Sequence, residues 1–70
     1  MTTSVEITVN GEPRQSANGA TVLDLLRQLG LNSGRVAIER NREILPRARW
    51  SEAHVEKGDT YEIVQFVGGG

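Results

Sequence analysis

Thr21-Val22-Leu23-Asp24-Leu25-Leu26-Arg27-Gln28-Leu29-Gly30 carries a helical period with its own start and stop signals. Val22, Leu25, Leu26 and Leu29 fall at i, i+3, i+4 and i+7, one apolar stripe from which Asp24, Arg27 and Gln28 are excluded. Thr21 stands as the N-cap, and Asp24, three residues later, is placed to reach back to it and to favour the positive helix end. Gly30 suits the left-handed position after the helix, with Leu31 folding back on the last turn. A short helix with one apolar stripe needs a sheet to cover.

Both sides of the helix supply strands. Before it, Val5, Ile7 and Val9 alternate with Glu6 and Thr8, the period of a strand with one buried face. Asn10-Gly11 is the preferred pair for a type I′ turn, so residues 12–16 are predicted to return antiparallel. Pro13 cannot donate to a ladder and marks this second strand as an edge. After the helix, Asn32-Ser33-Gly34 reads as a loop and Val36-Ala37-Ile38 as a buried third strand. Asn41-Arg42 turns the chain into a short fourth strand, Glu43-Ile44-Leu45, which Pro46 ends. Trp50 is expected to cap a corner of the core, and Ser51 to N-cap a single turn over Glu52-Ala53-His54. Lys57-Gly58-Asp59 supplies a last tight turn. The final strand, residues 60–67, places Tyr61 and Ile63 on one parity and Val64 and Phe66 on the other. That predicts either a bulge or apolar side chains on both faces near its end. The class is α+β, with four to five strands under one main helix.

The totals narrow the function classes. Seventy residues make one small domain, and with no cysteine it has no disulfide, no thiolate nucleophile and no cysteine-based metal site. Eight Lys and Arg against nine Asp and Glu give a formal net charge of -1, which sets up no overall field for nucleic acid or an anionic membrane. No apolar run approaches the roughly 20 residues of a membrane helix, and the first residues lack a signal pattern. A cytoplasmic protein without membrane or nucleic-acid partners is expected.

Candidate chemistry in the body is sparse. His54 is the single histidine, short of the three or four ligands that zinc takes. Ser51, His54 and Asp59 assemble a triad only on paper, since nothing suggests an oxyanion hole. Arg35, Arg40, Arg42, Arg47 and Arg49 crowd fifteen residues, a basic edge that reads as a solvated face or a dock for an acidic partner. The chain closes on Gly68-Gly69-Gly70 directly after the final strand. Glycine has no Cβ, so such a tail can thread a passage closed to other residues. A frayed end is the alternative reading of the same triplet. Division into a body, 1–67, and a flexible glycine tail, 68–70, follows.

The Val36-Ala37-Ile38 strand with Asn41, then Pro46-Arg47 and Trp50, then Gly58-Asp59, an apolar strand and terminal glycines together resemble the ThiS family. These are sulfur carriers of thiamin biosynthesis in the ubiquitin-like β-grasp superfamily. The resemblance spans nearly everything after the first hairpin, and it implies a β-grasp fold with a mixed sheet. It implies a carrier and not an enzyme: the Gly70 carboxylate is adenylated, then converted to a thiocarboxylate that gives its sulfur to thiazole formation. Gly69 and Gly70 would enter the partners' active sites. The implied partners are an E1-like adenylating enzyme, a sulfur donor enzyme and thiazole synthase. ATP and magnesium would belong to the adenylating enzyme, with no cofactor or metal bound by the carrier. Val64 and Phe66, odd in parity, are the expected dock for the adenylating enzyme. Gly68 departs from the family, which commonly ends in two glycines after an apolar or alanine residue. A carrier like the small subunit of molybdopterin synthase, or a β-grasp module with no covalent chemistry, remains an alternative.

Overall fold

Asn10 and Gly11 both adopt positive φ, 51° and 83°, so strand β1 (Ser4–Val9) folds straight back into β2 (Glu12–Ala17). A turn with both central residues left-handed matches the natural strand twist. The register runs from Val9 opposite Glu12 to Ser4 opposite Ala17. This computed structural model describes residues 4–31 and 34–66.

Helix α1 (Val22–Gln28) is bounded as its sequence requires. The Asp24 amide donates to Thr21 Oγ1 at 3.1 Å and the Thr21 amide donates to Asp24 Oδ2 at 3.1 Å, a complete capping box. Hydrogen bonding from the Thr21 amide and then from its side chain, helped by Arg27, holds the Asp24 carboxyl below its ordinary pKa. Two further N-terminal donors reach the chain that follows Pro46: Val22 to the Ala53 carbonyl and Leu23 to the Trp50 carbonyl, at 2.8 and 3.0 Å. At the other end Gly30 takes φ 75°. Leu31 donates to the Leu26 carbonyl and Gly30 to the Arg27 carbonyl, the paired bonds of a Schellman stop.

Strands β3 (Arg35–Arg40), β4 (Glu43–Ile44) and β5 (Thr60–Phe66) complete a five-stranded sheet in the order β2-β1-β5-β3-β4. β1 and β5 are parallel, and the other pairs are antiparallel. The sheet is therefore mixed, and one helix covers it. Val22, Leu25 and Leu26 are buried against Ile7, Val9, Ile38, Tyr61 and Ile63. Pro13 lies on the edge strand β2, where its missing N–H costs no central ladder bond.

Two local expectations are corrected, and a third had two alternatives of which one holds. The helical turn lies at Arg47–Arg49, before Ser51 and not after it. Burial of Trp50, whose Nε1 donates to the Leu45 carbonyl at 2.9 Å, turns the chain back immediately after Pro46. His54 instead forms an isolated bridge to Thr21. The second correction concerns the third strand: Ala37 is exposed, and only Ile38 of its apolar triplet is fully buried. For the final strand the second of the two expected alternatives holds: β5 keeps an unbroken register with β3 from Arg40↔Tyr61 to Arg35↔Phe66. It has no bulge there, and its apolar residues simply occupy both faces.

Two asparagines fix β5 more tightly than their turns alone require. Where β1 ends, the Asn10 side chain accepts from the Ile63 amide at 2.8 Å and donates to the Ile63 carbonyl at 3.1 Å. It replaces the backbone partner that β1 no longer supplies. Asn41, also at φ 51°, accepts from the Thr60 amide and donates to Asp59 Oδ1. Buried Asp59 further accepts from the Glu56 amide and the Tyr61 hydroxyl, each at 2.9 Å. Burial and that carboxylate push the Tyr61 phenol well above its ordinary value of 10.0. A folded-state pKa above the unfolded one gives stability that is complete below about pH 10 and lost as pH rises through the folded value. Tyr61 is the chain's single tyrosine, so phenolate absorbance reports it alone. Phenolate is expected only as the protein unfolds in alkali, and its appearance near pH 10 with the fold intact would contradict this.

Candidate functional site

Cross-strand partners in an antiparallel pair share a face, so the register of β5 assigns the outer surface of the sheet. Val64 lies beside Ala37, Phe66 beside Arg35, and Glu62 beside Glu39. Val64 and Phe66 are 53% and 55% exposed, on the side away from α1. Ile44 pairs with Glu39 and joins the same face, 74% exposed. The outer face thus carries apolar side chains that the core does not use. Gly68, Gly69 and Gly70, like Val67, lie outside the described residues, and so does the division between body and tail.

The arginine-rich segment does not form one patch. The Arg40 guanidinium is held inward, Nε 3.6 Å from Asp59 Oδ2 and Nη1 donating to the His54 carbonyl at 3.4 Å. Arg42 occupies the turn at φ 72°. Arg47 goes to the opposite end of β3, where Nη2 donates to the Gly34 carbonyl at 3.0 Å and the guanidinium lies 4.9 Å from the Trp50 ring centre. Arg35, exposed on the outer face, stands beside Phe66, the last residue of β5. Arg35 and Arg47 therefore lie at the end of β3 that pairs with Phe66, the last described residue of β5.

The paper triad is not assembled. Asp59 is turned to Tyr61, Asn41 and the Glu56 amide, while His54 is exposed. Among the described residues no three His, Asp or Glu side chains are grouped to hold a metal ion. A depression of about 210 Å³ lies between Arg40, Glu43, Ile44, Leu45, Arg49 and Ala53. It is smaller than the roughly 300–1,000 Å³ of small-molecule sites. Among the described residues no helix is long and apolar enough to cross a membrane. What the described residues offer is an exposed apolar face rather than a catalytic constellation.

The sequence profile of the ThiS family matches residues 7–70. The chain belongs to the ThiS family. The sulfur carrier protein ThiS of Escherichia coli K12 is 35% identical over 66 residues, covering 94% of this chain and all of that one. The crystal structure of the thiamine biosynthesis protein ThiS from Geobacter metallireducens superposes with a TM-score of 0.79 at 35% identity, over 94% of this chain and 100% of that one. The fold is accordingly the β-grasp fold that the resemblance implied. The thiazole synthase of Paramagnetospirillum magneticum is 44% identical over 66 residues, 94% of this chain but 20% of that protein. The chain spans about a fifth of the length of the two thiazole synthases it matches.

The exposed Ile44 was missed from the sequence, although a signal existed. A two-residue turn at Asn41-Arg42 pairs Arg40 with Glu43 and Glu39 with Ile44, and Glu39 alternates with buried Ile38. The outer apolar face could have been extended to Ile44 by that count.

Proposed function

We propose that this chain is a cytoplasmic sulfur carrier of thiamin biosynthesis that works through the carboxylate of Gly70. The observation that carries this reading is a family match that continues through Gly70, on a domain whose β5 leads directly toward the glycines. A C-terminal carboxylate, with a reference pKa of about 3.3–3.7, is an anion at neutral pH. One of its oxygens attacks the α-phosphorus of ATP, pyrophosphate leaves, and an acyl adenylate remains. A sulfide equivalent from a donor enzyme then attacks the carbonyl carbon and AMP departs, leaving a thiocarboxylate. An E1-like adenylating enzyme supplies the ATP site and the magnesium ion; the carrier contributes its terminus and its docking face.

Thiazole synthase is the proposed acceptor. Two thiazole synthases contain, within their own chains, a segment 44% and 36% identical to nearly all of this protein. Joining a carrier to its acceptor raises the effective concentration of one for the other, which supports the same pairing between separate chains. The thiamin relatives favour this acceptor over molybdopterin synthase.

Val64 and Phe66 are the proposed dock for the adenylating enzyme. Phe66→Ala should weaken that association by about 1–3 kcal/mol, since aromatic anchors dominate interfaces. Its exposure of 55% limits the folding cost to about 0.5 kcal/mol. Titration calorimetry with parallel thermal melts separates the two: a collapsed melt with binding intact would make Phe66 core. The function itself is tested by pyrophosphate release from ATP by the adenylating enzyme, which should require this chain, and release independent of it would overturn the reading.

A further inference from the structure

The arginines at the end of the sheet have no role in the carrier chemistry described above. Arg47 is exposed, yet its guanidinium is fixed by stacking on buried Trp50 and by the hydrogen bond to the Gly34 carbonyl. Holding a long charged side chain in one place at the surface costs rotamer entropy. Gly34 immediately precedes Arg35, and Arg35 is the register partner of Phe66. Arg35 belongs to the outer face. Arg47 comes from the other side, because its turn carries Trp50 into the core beneath α1. Both arginines therefore sit at the end of β3 that pairs with Phe66, the last residue of β5. Among the described residues neither lies within 4.0 Å of a carboxylate, in contrast to Arg27 with Asp24 and Arg40 with Asp59.

From this placement we infer that Arg35 and Arg47 recognise carboxylates around the mouth of the adenylating site that receives the tail. The inference rests on the carrier reading above. Four residues, 67–70, separate Phe66 from the Gly70 carboxylate, and a fully extended chain spans at most about 3.3–3.6 Å per residue, roughly 14 Å in all. With Gly70 at the reacting phosphate, the arginines stand well back from it. They face the rim of the partner's passage and not the nucleotide. Guanidiniums at a rim, that of Arg47 already held in place, orient an acidic surface and speed encounter, with an effect that salt screens over about 8–10 Å. They would align the tail before the apolar face closes.

The test uses the full chain and its adenylating enzyme, with association rates measured at low and high ionic strength and with thiocarboxylation followed by mass. Arg35→Glu and the double variant Arg35→Glu/Arg47→Glu should slow association roughly ten-fold or more at low salt. The gap to wild type should close at high salt. Arg35→Glu breaks no intramolecular bond described here, and Arg47→Lys keeps the charge, so its near-normal rate would exclude loss of the Trp50 stack as the cause. Wild-type chain that gains sulfur normally while both Glu variants associate at the wild-type rate overturns this inference alone. Equal association together with lost binding of single-stranded RNA assigns the guanidiniums to nucleic acid, and also overturns it. Wild-type chain that never gains sulfur removes the carrier reading and this inference together.

Discussion

Leu26→Ala is expected to destabilise the fold by about 2–5 kcal/mol, the range for emptying a fully buried leucine site. Leu26 is wholly buried, and its carbonyl also accepts the Leu31 amide that ends the helix. Since domains hold roughly 0.05–0.15 kcal/mol per residue, a chain of this size stands to lose between about a fifth and all of its stability. No disulfide is present to compensate. Urea unfolding should show a large fall in midpoint for Leu26→Ala and almost none for Ile44→Ala, since Ile44 is 74% exposed. Equal, small shifts for the two would mean that the helix is not the main cover of the sheet.

Extending the chain by one residue beyond Gly70 is expected to abolish sulfur loading while leaving association with the adenylating enzyme unchanged. The extension converts the Gly70 carboxylate into an amide and moves the free carboxylate one residue further on. The proposed docking face on β5 and the arginines Arg35 and Arg47 are untouched. Gly69→Val keeps the carboxylate but adds a branched Cβ where the passage is expected to be narrow. A misplacement near 1 Å costs roughly 100-fold in rate, so loading should fall by about that factor while binding persists. Quantitative mass analysis of each variant after a fixed incubation checks both. Full loading of the extended chain would make the tail's terminus irrelevant to the chemistry.

Local signals carried much of the fold. The apolar stripe from Val22 to Leu29, the Thr21 and Asp24 cap, Gly30 and the Asn10-Gly11 turn each had one physical solution, and each is found. Parity already set Val64 and Phe66 apart from Tyr61 and Ile63. The structure places them on the outer face without the bulge that the mixed pattern allowed. What could not be read were contacts across long separations. Nothing near Asn10 in sequence announces that its side chain will pair with Ile63, 53 residues away. The indole bond from Trp50 to Leu45, which puts the 3-10 turn at Arg47–Arg49, is likewise invisible to a residue pattern. Five closely spaced arginines looked like one basic edge. Strand β3 runs between them, and its length separates Arg35 and Arg47 at one end from Arg40 at the other.

The central claim is that Gly70 carries sulfur, and intact mass measures it most directly. The purified chain is incubated with its adenylating enzyme, ATP, magnesium and a sulfur donor, then weighed against a sample lacking ATP. The account predicts a gain equal to replacement of one oxygen by sulfur, located by fragmentation to Gly70 and dependent on ATP. An unchanged mass in the complete system, or sulfur found on any residue other than Gly70, would contradict it.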